Sequence, residues 1–186
     1  MDAHVLIPVK RLDDAKTRLA EALSPDERAD LMRELLAHVL TAVQAADVGP
    51  VTVVSAEPLS LDGVPRFDDG GVPWNDALAS AMSVIVTEPT VAIVAADLPL
   101  VSSDDVRALL ATTPERGVVI ARAKDGGTNA VAMRPPGIVA TRFGERGSAA
   151  LHERDAWTAG ADAHVLDLPG LAFDIDTPED LQAWHH

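Results

Sequence analysis

The sequence predicts a three-layer α/β domain with a mostly parallel central sheet, on three observations. Short apolar runs recur along the chain, at 4–9, 51–55, 91–96, 117–121 and 129–133, as strands covered on both faces require. Stretches with apolar residues at helical spacing lie between most of them, and such alternation builds a parallel sheet. One run, Val91-Ala92-Ile93-Val94-Ala95-Ala96, ends abruptly in Asp97-Leu98-Pro99. A proline cannot continue a strand ladder, and open α/β sheets meet their ligands beyond the carboxyl ends of their strands. Asp97 is therefore either a ligand-facing carboxylate or an ordinary loop acid.

The first strand, 4–9, contains Pro8 and leads into Lys10-Arg11-Leu12-Asp13-Asp14-Ala15-Lys16-Thr17-Arg18-Leu19. Leu12, Leu19 and Leu23 fit one helical face, with Lys16 also at helical spacing. Clustered cations after a strand suit a polyphosphate, and they equally suit a solvated basic face. Ser24-Pro25-Asp26-Glu27 combines an N-cap serine, proline at the first helical position and glutamate at the third, so a helix starts there. Leu31, Leu35, Val39 and Val43 continue it with helical period. Residues 58–73, rich in Gly, Pro and Asp, read as loop. Trp74-Asn75-Asp76-Ala77-Leu78 opens a second helix with Asn75 as its N-cap, and a helix N-terminus also attracts anions. Ser102-Ser103-Asp104-Asp105 caps a third.

The strand at 117–121 turns through Lys124-Asp125-Gly126-Gly127-Thr128-Asn129 into the next one. A hairpin explains the glycines. Backbone N–H groups brought close to an anion, with a Thr hydroxyl as a further donor, would also explain them. Phe143-Gly144-Glu145-Arg146-Gly147-Ser148 precedes a helix holding Leu151, His152 and Trp157, with Ser148 as expected N-cap. His152 is either a ligand-facing group or a structural one. After a strand at 163–168, Asp174 and Asp176 point one way in an extended segment while Phe173 and Ile175 point into the core. Asp176 or Thr177 then caps a helix from Pro178. Two aligned carboxylates repel unless a cation lies between them, and with Asp97 they form a hard-oxygen set suited to Mg²⁺.

Composition narrows the function. The 186 residues are expected to form one domain over 1–184, with His185 and His186 set aside as a tag remnant. A net charge of −14 argues against broad nucleic-acid binding. No run is long enough to span a bilayer and there is no cysteine, so a cytoplasmic protein without disulfides or thiolate chemistry is expected. Among its basic residues only three are lysines, Lys10, Lys16 and Lys124, each beside a candidate stretch.

Taken together, Pro8-Val9-Lys10, Ala15-Lys16-Thr17-Arg18-Leu19, Asn75-Asp76-Ala77-Leu78, Ala96-Asp97-Leu98-Pro99, Gly126-Gly127-Thr128-Asn129-Ala130, Phe143-Gly144 with Ser148 and His152, and Asp174-Ile175-Asp176-Thr177-Pro178 resemble the CofC/FbiD guanylyltransferases of coenzyme F-420 biosynthesis. The resemblance runs nearly end to end. It implies a nucleotidyltransferase fold, Rossmann-like and related to the GT-A glycosyltransferases. It also implies transfer of GMP from GTP to the phosphate of 2-phospho-L-lactate or phosphoenolpyruvate, with release of pyrophosphate and delivery of the product to the next enzyme of that pathway. Position by position, it implies that Asp97, Asp174 and Asp176 bind Mg²⁺ and that Lys10, Lys16 and Arg18 serve the phosphates. Pro8, Asn75 and Asp97 lie on the nucleotide, and Thr128, Gly144 and Ser148, with Gly127 and Asn129, on the acceptor. A homodimer is compatible with it. Two features depart from the family: Pro73-Trp74 stands before Asn75 where leucine is usual, and the Gly144–Ser148 loop is one residue longer. The alternatives are another nucleotidyltransferase, of the molybdenum-cofactor or sugar-phosphate type, whose glycine-rich first loop is absent here, and a non-catalytic nucleotide-binding domain on the same fold.

Overall fold

The computed structural model describes residues 2–11 and 16–184. Leu12 and Ala15, named above in the basic segment, lie outside the described residues, as do His185 and His186. Seven strands form one sheet: β1 (Ala3–Pro8), β2 (Val51–Val54), β3 (Arg66–Phe67), β4 (Thr90–Val94), β5 (Gly117–Arg122), β6 (Thr128–Arg134) and β7 (Asp162–Leu166). Their spatial order is β3-β2-β1-β4-β6-β5-β7. All neighbouring pairs are parallel except those of β6, which runs against both β4 and β5. The expected mostly parallel sheet is present, and β3 adds a two-residue strand inside the stretch expected to be loop.

Alternation along the central strands fills two layers. Ala3, Val5 and Ile7 of β1 face α1 (Pro25–Ala46) and α3 (Ser103–Ala111), together with Ala92, Val94, Ala130 and Ala132. Leu6, Val91, Ile93, Val131 and Met133 face the opposite way, onto α2 (Trp74–Ile85) and α4 (Ser148–Thr158). Burial on both faces is why these strands read as continuous apolar runs. The capping box at Ser24 forms as expected: Ser24 Oγ accepts from the Glu27 N–H, and the Glu27 carboxylate accepts from the Ser24 N–H at 2.8 Å.

Three local expectations are corrected. Thr17–Leu19 forms a single 3₁₀ turn rather than a helical face, entered through Lys16 at φ 54°. The N-cap of α2 is Pro73, not Asn75, and that of α4 is Gly147 at φ 68°, not Ser148. Glycine tolerates the left-handed backbone at that second cap, which lets Ser148 enter the helix with its side chain turned inward.

A third apolar cluster joins Leu19, Leu31, Leu35, Phe173 and Ile175. It presses the basic turn and the acidic C-terminal segment onto the same patch of α1. The Ile175 N–H also donates to the Asp97 carbonyl at 3.4 Å, and the Lys124 N–H to the Ala172 carbonyl at 3.2 Å. The segment carrying Asp174 and Asp176 is thereby docked across the carboxyl edge of the sheet. α5 (Pro169–Ala172) precedes it and α6 (Pro178–Trp184) follows it. Thr177 and Asp180 cap α6, so Asp176 is not used as its cap.

Candidate active site

At the carboxyl edge lies a cavity of about 640 Å³ lined by Pro8, Lys10, Lys16, Arg18, Asp97, Gly127, Thr128, Asn129, Gly144, Ser148, Asp174 and Asp176. Of the residues singled out from sequence as site residues, Asn75 alone is not in this lining. Antiparallel β6 matters here, because it places the beginning of a strand, Thr128-Asn129, level with the end of β4. The Ala95 N–H donates to the Asn129 carbonyl at 2.8 Å, which sets Asp97 just beyond.

Asp97, Asp174 and Asp176 each present a carboxylate oxygen within 4.8 Å of the others. Lys16 donates to Asp176 at 2.9 Å and also to Asp97, with its own side chain almost wholly buried. Burial works against the Lys16 ammonium, yet the Asp97 and Asp176 charges outweigh it and raise its pKa. Arg18, exposed at the cavity rim, reaches Asp176 at 3.7 Å. Asp174 is partly buried. Burial first, and then the charge of Asp97, push its carboxyl up to about 6, against the Asn129 side chain that donates to it at 3.2 Å. A set of hard oxygen donors crowded enough to perturb one of its members suits a divalent cation such as Mg²⁺.

Another part of the lining carries hydroxyls, with a histidine behind them. Thr128 Oγ1 lies 2.9 Å from Ser148 Oγ and 3.1 Å from His152 Nδ1, and His152 Nε2 accepts from the Arg142 N–H at 2.9 Å. His152 is fully buried, with the Phe143 ring edge-on at 5.8 Å. That burial, chiefly, lowers its pKa to about 4. Asn75 holds the loop before Ser148: its carbonyl accepts from the Phe143 N–H at 3.0 Å and its amide donates to the Phe143 carbonyl at 3.2 Å. Lys10 stacks its ammonium 4.6 Å from the Trp74 ring, and Lys124 does the same over Phe173 at 4.1 Å.

Sequence reasoning missed Trp74 and Arg146 as lining residues, though each sits inside a stretch that was singled out. It left His152 undecided because a histidine on a short helix gives no sign of which face is covered. No helix among the described residues is long and apolar enough to cross a membrane.

A family model described as guanylyl transferase CofC like matches residues 3–184. A phosphoenolpyruvate guanylyltransferase of Sphaerobacter thermophilus is 42% identical, covering 98% of this chain and 92% of its own. A 2-phospho-L-lactate guanylyltransferase of Haloarcula marismortui is also 42% identical, covering 89% and 77%. Among solved structures, a nucleotidyl transferase from Methanothermobacter thermautotrophicus superposes with a TM-score of 0.72 at 19% identity, covering 98% of this chain and 95% of its own. The 2-C-methyl-D-erythritol 4-phosphate cytidylyltransferase of Thermus thermophilus gives 0.60 at 17%, covering 99% and 97%. The fold is thus that of the nucleotidyltransferases, and with the family model spanning nearly its whole length, this chain belongs to the CofC-like guanylyl transferase family.

Proposed function

We propose that the protein transfers GMP from GTP to the phosphate of phosphoenolpyruvate or 2-phospho-L-lactate, releasing pyrophosphate, as a cytoplasmic enzyme of coenzyme F-420 biosynthesis. The observation that carries this reading is one cavity lined by both a three-carboxylate cluster with Lys16 and the Thr128–Ser148 hydroxyl pair. Family membership and relatives named for both acceptors support it.

The reaction is a displacement at the α-phosphorus of GTP. An acceptor phosphate oxygen forms the new P–O bond as the bond to the bridging oxygen of pyrophosphate breaks. The acceptor is already anionic, so no general base is needed, and among the described cavity residues no nucleophile–histidine–carboxylate chain is called for. Positioning two polyanions and offsetting their charge is the whole task. Asp97, Asp174 and Asp176 would hold Mg²⁺, which when bound neutralises phosphate charge and aligns its oxygens. Lys16, Lys10 and Arg18 offer cations to the phosphates, while Thr128, Ser148 and the Gly144 backbone suit the smaller carboxylate. Pyrophosphate release from GTP and Mg²⁺ tests the reading, with each acceptor added separately and the next enzyme of the pathway present to draw off product. Release with one acceptor is expected. Silence with both, despite GTP binding, would leave a nucleotide-binding domain.

A further inference from the structure

Hydrogen-bond bookkeeping around His152 fixes more than its fold. A neutral imidazole has one donor nitrogen and one acceptor nitrogen. The Arg142 backbone N–H can only donate, so His152 Nε2, 2.9 Å away, is the bare nitrogen and Nδ1 carries the hydrogen. The Ser148 backbone is also bonded to this ring in a way that favours protonation, as an accepting carbonyl does, so the one Nδ1 hydrogen is shared between that carbonyl and Thr128 Oγ1. Nδ1 therefore cannot accept from Thr128 Oγ1 at 3.1 Å. Thr128 and Ser148 own two hydroxyl hydrogens, and one lies in the 2.9 Å bond between them. Among the described residues neither hydroxyl has another acceptor. The second hydrogen has only the cavity to point into, and it does so beside the N-terminal end of α4, which carries partial positive charge and no acid in its first turn.

We propose that His152 is a positioning residue: from behind the cavity wall its Nδ1–H sets the polarity of the Thr128–Ser148 pair, so that one hydroxyl is presented as a donor to the carboxylate of the phosphorylated acceptor. The proposal rests on the functional reading above and deepens it. A singly charged carboxylate suits two hydroxyls and a helix N-terminus, whereas the phosphates suit the lysines of the same cavity.

Two amide substitutions separate the roles of the ring. The Asn amide reaches about as far as Nδ1 and can still donate to Thr128, while the Gln carbonyl reaches about as far as Nε2 and can still accept from the Arg142 N–H. With GTP saturating, H152Q should raise the acceptor KM about tenfold, the scale of one hydrogen bond to a charged group, and H152N should stay within about threefold of the parent. The KM for GTP should move in neither. In a Thr128→Val background, H152Q should add less than about twofold, because its route to the acceptor is already gone. Equal losses in H152Q and H152N, parallel rises in both KM values, or full additivity with Thr128→Val would overturn the proposal while the parent remains active. A parent silent with every acceptor would overturn the functional reading and this inference with it. Long-range ¹H–¹⁵N spectra of the unsubstituted protein read the tautomer directly, whatever the variants do. An Nδ1-protonated neutral ring at pH 7 is expected, and an Nε2-protonated one refutes the argument.

Discussion

His152 also makes the stability of the protein depend on pH in a calculable way. Its imidazole has no exposed surface, and burial, the leading cause, holds its pKa at about 4 against an ordinary 6.5. Asp155 and Glu145 favour the charged ring and Arg142 opposes it, without reversing the effect of burial. Above pH 6.5 the ring is neutral in both folded and unfolded chains, and its burial is fully available to stability. As pH falls below 6.5 the unfolded chain takes up a proton that the folded one refuses, so stability is lost until the folded ring titrates near 4. At about 1.4 kcal/mol per pH unit, roughly 3 kcal/mol is at stake over the whole span, and about 2 between pH 7.5 and 5. Urea unfolding followed by circular dichroism, at several pH values between these limits, would measure it in the parent and in H152Q. The stability difference between the two should shift by about 2 kcal/mol against the parent on going from pH 7.5 to 5. A difference that stays constant would mean that the ring is not held neutral, and the tautomer argument would fall with it.

Other predictions follow from the same contacts. Asp176→Asn should fold normally, since Thr177 and Asp180 cap α6 without it, yet lose turnover by roughly a hundredfold or more with GTP and Mg²⁺. Removing divalent cations with a chelator should abolish turnover in the parent while leaving its circular dichroism unchanged. Ile175→Ala opens a hole in the cluster that docks the acidic segment, and should cost about 2–5 kcal/mol in urea unfolding and lower kcat as well. Asn75→Ala removes both bonds to the Phe143 backbone, at about 1 kcal/mol each, and should raise the acceptor KM several-fold by loosening the loop before Ser148.

Much of this was legible in the sequence because it was written in local patterns. The strands were apolar runs, α1 announced itself by Ser24-Pro25-Asp26-Glu27, and the alternation around Asp174 and Asp176 told which side chains faced the core. Direction and order were not legible: β6 is buried on both faces like β4 and β5, and nothing in a two-sided apolar run says which way it points. Caps misled where backbone conformation, rather than side-chain type, decided the boundary. Asn75 and Ser148 are both good cap residues, but the helices start two residues and one residue earlier, respectively, than that role requires, and both side chains were free for tertiary bonds. Lys16 was expected to serve phosphates, and its pairing with acids some eighty and more positions away in sequence could not be read from a pattern of neighbours.

The hairpin of β5 and β6 has a consequence for how such a site can change over generations. Its turn is clasped to α4 by the Ala149 N–H, which donates to the Gly126 carbonyl at 3.4 Å, and by the Thr128–Ser148 bond. The wall assigned to the acceptor is therefore drawn mainly from two short, mutually braced stretches of chain, 123–129 and 142–152. The acids and cations assigned to GTP come instead from the segment after β1, the loop beyond β4 and the C-terminal segment. The two groups meet where the Asn129 amide donates to Asp174 and the Lys124 N–H to the Ala172 carbonyl, so a reworked acceptor wall must keep those two bonds if the acids are to stay in place. Two relatives, each 42% identical to this chain over the part they match, carry names for two different acceptors.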